Sequence, residues 1–97
     1  MQMMRKMQRQ MEKIQQELES TRIETSAGGG LVKVVINGQQ DIESISISPD
    51  AVDPEDVELL EDLVLAAVND AVGESRSVAA RKMSALTGGM KIPGLSM

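Results

Sequence analysis

The sequence predicts an α+β fold: a helix, three antiparallel strands, then a helix or helix pair. Three observations carry this. Met4, Met7, Met11, Ile14 and Leu18 recur at 3-4-3-4 spacing, which lines them along one face of a helix. Gly28 to Ser48 alternates glycine and Asn-Gly turn signals with runs rich in β-branched residues. Asp53-Pro54 then opens a long stretch with helical apolar periodicity.

The first helix is expected over residues 1–20. Arg5, Arg9, Glu12, Lys13 and the glutamines lie off its apolar stripe, and Gln, Lys, Arg, Glu and Met all favour helix. The stripe is narrow and rich in Met, which suits an adaptable contact with another helix. Residues 21–48 read as the sheet. Ser20 to Ala27 form its first strand, and Gly28, Gly29 and Gly30 supply positive φ for a turn. Leu31 to Ile36 follow, apolar on both faces and so expected to be covered on both. Asn37-Gly38 signals a hairpin, and Ile42 to Ser48 return with Ile45 and Ile47 on one side and serines on the other. Pro49 ends the ladder because it has no N–H to give.

The last helix is expected over residues 53–87, with a candidate break at Gly73. Asp53 would cap it, Pro54 suits its first position, and Glu55 and Asp56 suit the positive end of its dipole. Leu60, Leu63, Val64, Ala67, Val68 and Ala71 form an apolar face that Leu59 and Leu65 widen, so the helix is expected to be buried on two sides. Gly88-Gly89 would end it, leaving residues 88–97 as a mobile tail. No internal repeat is present, and residues 1–97 read as one domain.

The composition limits what such a domain can do. The chain has 97 residues and no Phe, Tyr or Trp. A chain of this size hides only about 60–65% of its unfolded surface when it folds alone, and aromatic side chains usually dominate core energetics. A second copy of the chain is the simplest supplement to such a core. His and Cys are both absent, which removes the usual general bases, zinc ligands and thiol nucleophiles. The carboxylates Asp50, Asp53, Glu55, Asp56, Glu58, Glu61 and Asp62 do not follow calcium-loop spacing and read as a capped helix start with a solvated acidic face. The triple glycine is followed by a strand and by no Lys-Ser or Lys-Thr, so it does not read as a phosphate loop. No enzyme activity, cofactor, metal or small-molecule substrate is expected. The basic, polar N-terminus is not a signal peptide, and no apolar run is long enough to span a bilayer, so a soluble cytoplasmic protein is expected.

Charge is unevenly placed. Residues 1–22 carry five bases and three acids, residues 23–72 one base and eleven acids, and residues 73–97 four bases and one acid. The overall charge of −5 opposes coating of DNA by bulk charge, but local patches set the local field. Arg5, Lys6, Arg9 and Lys13 on the first helix, with Arg76, Arg81 and Lys82 on the last, are the candidate phosphate contacts. The residues alone leave two readings open: a duplex DNA-binding protein, or a protein-interaction scaffold whose charged faces meet only water. Recognition of single strands by stacking is not expected without aromatic residues.

GGGLVKVVINGQQ, SISISPDAV and LLEDLVLAAVNDA closely resemble the YbaB/EbfC family of nucleoid-associated proteins, and the resemblance runs from the Met/Gln-rich first helix to GGMKIPG. It implies an intertwined homodimer with a fused β body and protruding, tweezer-like helices. It also implies duplex DNA binding at the helical tips, a role in nucleoid organisation and gene expression, and a chromosome-associated place in a bacterial cytoplasm. Carried onto this chain, the tips correspond to Arg5, Lys6, Arg9 and Lys13, and to Arg76, Arg81 and Lys82. Lys33, Asn37, Gly38, Glu61, Asp62, Asn69 and Asp70 match the family pattern and are read as fold and dimer residues. The last helix departs from expectation in carrying fewer bases than a dedicated DNA-binding helix would.

Overall fold

A computed structural model describes residues 2–86. The element order is α1 (Gln2–Ser20), β1 (Arg22–Ala27), β2 (Val32–Asn37), β3 (Ile42–Ile47) and α2 (Val57–Leu86), with a short 3-10 turn at Pro49–Ala51. The sheet is antiparallel in the order β1-β2-β3. The tail expected at residues 88–97 lies outside the described residues.

One face of the sheet reads as three rows across the strands: Ile23–Ile36–Ile42, Thr25–Val34–Ile45 and Ala27–Val32–Ile47. A bulge between Val35 and Ile36 leaves Glu43 unmatched and brings Ile42 opposite Ile36. Helix α2 packs across this face. Its Ala67 and Ala71 are fully buried against Val32, Val34 and Ile36, and Leu60, Leu63, Val64, Val68 and Val72 flank them. Alanine at the contact lets the helix sit close to the strands. The Thr25 hydroxyl uses that closeness to donate to the Ala67 carbonyl at 2.8 Å.

Coverage is one-sided and incomplete. Helix α2 lies over β1 and β2, while Ile42, Ile45 and Ile47 of β3 remain 42%, 47% and 40% exposed. On the opposite face of β2, Lys33 is exposed and Val35 half-buried, so the expectation that both faces are covered does not hold within one chain. Leu59 and Leu65 are likewise 51% and 60% exposed, which leaves α2 covered on one side.

Both turns answer to specific sterics. Gly28, Gly29 and Gly30 have φ of 65°, 68° and 95°, the region other residues avoid. The β2–β3 hairpin forms, but through a longer loop than an Asn-Gly turn needs, and its positive φ falls at Gln40 (64°). Gly38 is required for another reason. A Cβ there would lie 2.7 Å from Leu18 Cδ2, 2.9 Å from the Leu18 carbonyl oxygen and 3.0 Å from its Cα.

Helix α2 begins later than residue 53. Asp53 instead closes a turn, with Asp56 N–H donating to its carbonyl at 2.9 Å and Glu55 N–H to its Oδ1 at 3.0 Å. The cap is Asp56, whose Oδ1 accepts from Leu59 N–H at 3.3 Å. The candidate break at Gly73 is absent, because α2 runs unbroken from Val57 to Leu86. A helical glycine costs about 1 kcal/mol relative to alanine, too little to break a helix held on both sides of it.

The two glycines should therefore respond oppositely. Gly38→Ala drives a Cβ into backbone and is expected to destabilise the fold by about 1–3 kcal/mol. Gly73→Ala meets nothing within 4 Å and is expected to raise stability by about 1 kcal/mol or less. Thermal denaturation followed by circular dichroism checks both.

Candidate nucleic-acid interface

The chain extends 63 × 29 × 16 Å, with a radius of gyration of 18.1 Å, against about 13 Å for a compact domain of this length. The excess length is an arm. From the sheet, α1 and the end of α2 run outward side by side and antiparallel. Ser75 meets the β2–β3 loop at the base, and Glu17 Oε2 meets Lys82 Nζ at 3.1 Å further out. Beyond them, Gln10, Lys13 and Ile14 share a groove with Ala85 and Leu86. Residues 2–9 of α1 project past Leu86, the last described residue of α2.

The arm is held at its root by hydrogen bonds. The Leu18 carbonyl, at the end of α1, accepts from Gly38 N–H at 2.8 Å and from Thr21 N–H at 3.2 Å. Gln39 Nε2 donates to the Gln15 carbonyl at 2.9 Å. Asn37 Oδ1 accepts from Gln39 and Asp41 N–H at 2.8 and 3.0 Å, which shapes the loop. The buried Ser75 hydroxyl donates to the Asn37 carbonyl at 2.6 Å and accepts from Gln40 N–H at 3.1 Å and Gln40 Nε2 at 3.0 Å. No buried side-chain polar atom among the described residues lacks a partner.

The candidate bases fall into separate groups. Arg5, Lys6 and Arg9 line one groove with Gln2, on the outer half of α1, where residues 2–13 are all exposed. Lys13 lies further down the arm, in a groove shared with Glu17 and Lys82. Arg81 is exposed on the outer part of α2, whereas Arg76 is exposed next to Ser75, at the arm's base. Lys82 is half-buried and paired with Glu17. Among the described residues, no ion pair engages Arg5, Lys6, Arg9, Lys13, Arg76 or Arg81. Sequence spacing places these bases on the two helices. It gives no sign of Glu17 and Gln39, whose contacts depend on partners distant along the chain.

The apolar stripe of α1 changes character along its length. Leu18 is buried and Ile14 half-buried, but Met11, Met7 and Met4 are 39%, 45% and 75% exposed. At the other end of the molecule, the start of α2 meets the glycine turn, where a Cβ on Gly28 would lie 2.9 Å from Leu63 Cδ2. That end carries Asp50, Asp53, Glu55, Asp56, Glu58, Glu61 and Asp62. The described residues hold no group of three or more acids placed to bind a metal ion, and none of their helices is long and apolar enough to cross a membrane.

Fold and charge together define a small α+β module with a projecting basic helical arm and an acidic body. The chain belongs to the YbaB/EbfC DNA-binding family, whose pattern matches residues 1–90. A nucleoid-associated protein of Desulforamulus reducens is 55% identical over 99 residues, covering 95% of this chain and 94% of its own length. A nucleoid-associated protein of Chloroflexus aurantiacus is 52% identical over 91 residues, covering 94% and 91%. The crystal structure of the uncharacterized protein HP0035 from Helicobacter pylori has the same fold, with a TM-score of 0.69 at 26% identity over 84% of this chain and 88% of that one.

The Glu17–Lys82 pair is a tie within the arm and is partly solvated. A double-mutant cycle with Glu17→Gln and Lys82→Met is expected to return a coupling of about 0.2–1 kcal/mol. Measured by urea denaturation, that coupling should fall at high salt.

Proposed function

We propose that two copies of this chain form a homodimer that binds duplex DNA through its arms, as a nucleoid-associated protein of the bacterial cytoplasm. One observation carries the reading. Arg5, Lys6 and Arg9 share a groove on the free part of α1, far from the acidic end of the molecule. Phosphates attracted to that groove meet three bases, with the nearest acid of the helix at Glu12. Family membership supports the choice of DNA as the ligand. Arg81 and Lys13 extend the basic surface along the arm, while Arg76 and the paired Lys82 add less. Binding of this kind is led by phosphate contacts, so its expected consequence is organisation of DNA and, through that, of gene expression.

The dimer reading rests on the uncovered apolar surface. Ile42, Ile45 and Ile47 continue the core rows past the edge of α2, and Leu59 and Leu65 widen the helix's apolar face. A second copy of the chain supplies a matching apolar surface by symmetry. The protein is expected to sediment as a dimer, and Ile45→Asp with Ile47→Asp should give a folded monomer in the same measurement. A dimer that persists in the double variant would place the interface elsewhere.

The arm is tested by gel shift with a mixed-sequence duplex at two salt concentrations. Replacing Arg5, Lys6 and Arg9 with Gln is expected to weaken binding on all sequences alike. Each lost phosphate contact should reduce the slope of log affinity against log salt by about 0.9. Unchanged affinity would remove the arm from the interface. A stoichiometric protein partner that survives nuclease treatment would instead favour the scaffold reading, for which the uncovered apolar surface is the supporting observation.

A further inference from the structure

The apolar stripe of α1 has a partner over only half its length. Leu18 packs at the root of the arm, and Ile14, further out, lies beside Ala85 and Leu86 of α2. Past that level the same stripe continues as Met11, Met7 and Met4, which with Gln8 line a shallow groove on α1 alone. Met3, 81% exposed, lies beside its outer end. An isolated helix of this length is marginal in water, and most helical stability in proteins comes from packing of an apolar face. A contiguous exposed apolar strip of this kind marks a contact site.

The direction of α2 indicates what fills it. Helix α2 runs antiparallel to α1, and its last described residue, Leu86, sits beside Gln10, Lys13 and Ile14. The chain leaving Leu86 therefore starts where the uncovered methionines begin. Eleven residues follow, TGGMKIPGLSM. Extended, they reach at most about 35–40 Å, while Met11 to Met3 spans only about 12 Å of helix. The segment carries Met90, Ile92, Leu95 and Met97, a single base at Lys91 and no acid. In an extended chain residues two apart fall on one side, which pairs Met90 with Ile92 and Leu95 with Met97.

We propose that residues 87–97 dock on the Met4, Met7 and Met11 strip of their own α1, completing the arm. Methionine side chains adapt to an irregular partner, which suits a segment carrying Pro93 and two apolar pairs. With no acidic side chain, the docked segment sets no carboxylate side chain beside Arg5, Lys6 and Arg9, and Lys91 adds a positive charge. The basic groove and the methionine groove share no lining residue, so docking leaves the candidate phosphate contacts open. The inference does not depend on what the arm binds.

The chain has no Cys, so Ser96→Cys gives one site for a nitroxide label on the full-length protein. The labelled, nitrogen-15-enriched chain is mixed with excess unlabelled wild type, so that only effects within one chain are read. The amide signals of Met3 to Met11 are expected to lose most of their intensity, while those of β2 keep theirs. Adding Ile92→Asp and Leu95→Asp should restore the signals of Met3 and Met4, the strip positions farthest from Leu86, where the tether alone holds the label least. Full intensity at Met3 to Met11 in the labelled protein would overturn the proposal. So would attenuation that appears only when the label is on the other copy, which would make a second chain the occupant. Attenuation at Met3 and Met4 that survives the two Asp substitutions would also overturn it, because the contact would then not be apolar.

Discussion

The arrangement of the whole molecule depends on the contact between the Leu18 carbonyl and Gly38. At that point the end of α1, the β2–β3 loop and the middle of α2 meet within hydrogen-bonding distance. The Leu18 carbonyl is one that α1 leaves unsatisfied at its end, and Gly38 and Thr21 supply the donors. The approach is too close for any side chain at residue 38. Asn37 and Ser75 are both buried and polar, and each satisfies the other elements: Asn37 Oδ1 holds the loop, and the Ser75 hydroxyl joins loop to helix. Leaving such a group without a partner costs about 1–3 kcal/mol. The junction is therefore specific as well as tight, and the direction of the arm follows from it.

A second constraint comes from the small core. With no aromatic residue, the chain closes its core with alanines on α2 and β-branched residues on β1 and β2. Ala67 and Ala71 bring the helix down onto two strands, and it leaves the third largely uncovered. The isoleucines of β3 thus belong to the pattern of the core rows without belonging to the core of one chain. Apolar burial stabilises by about 25 cal/mol per Å², so three half-exposed isoleucines and two exposed leucines leave a substantial driving force unused. The periodicity of residues 59–71 registers this force, which the proposed dimer would use.

Much of this architecture was legible in local pattern. The strands, the three positive-φ glycines and the interior face of α2 follow from side-chain alternation, turn chemistry and helical spacing. The start of α2 is ambiguous in sequence because Asp53 and Asp56 can each begin a helix, and the turn at Asp53–Asp56 makes Asp56 the cap. Asn37-Gly38 marks a turn in sequence, whereas the requirement for glycine at residue 38 is steric, set by Leu18 twenty positions earlier in the chain. The same limit applies to the basic residues. Spacing identifies which lie on helices, but only the Glu17–Lys82 contact and the register of α1 on α2 separate Arg5, Lys6 and Arg9 from Lys82 and from Arg76 at the base. Patterns within an element are written locally; contacts between elements are not.

The charge layout bears on how a chain with a net charge of −5 can present a positive surface. The acidic residues 50–62 and the arm lie at opposite ends of the strands, which separates them by about 20 Å before the arm itself begins. The Debye length at physiological ionic strength is about 8 Å. Over that distance the acidic end cannot cancel the field at Arg5, Lys6 and Arg9, so the groove acts on nearby anions as a local positive site. The acidic end still acts at short range, where a polyanion brought alongside the body would be repelled. For the proposed DNA ligand, attraction at the tip and repulsion at the body would favour approach along the long axis of the molecule. Net charge thus says little here about what the chain can bind, and the spatial separation of its two signs says more.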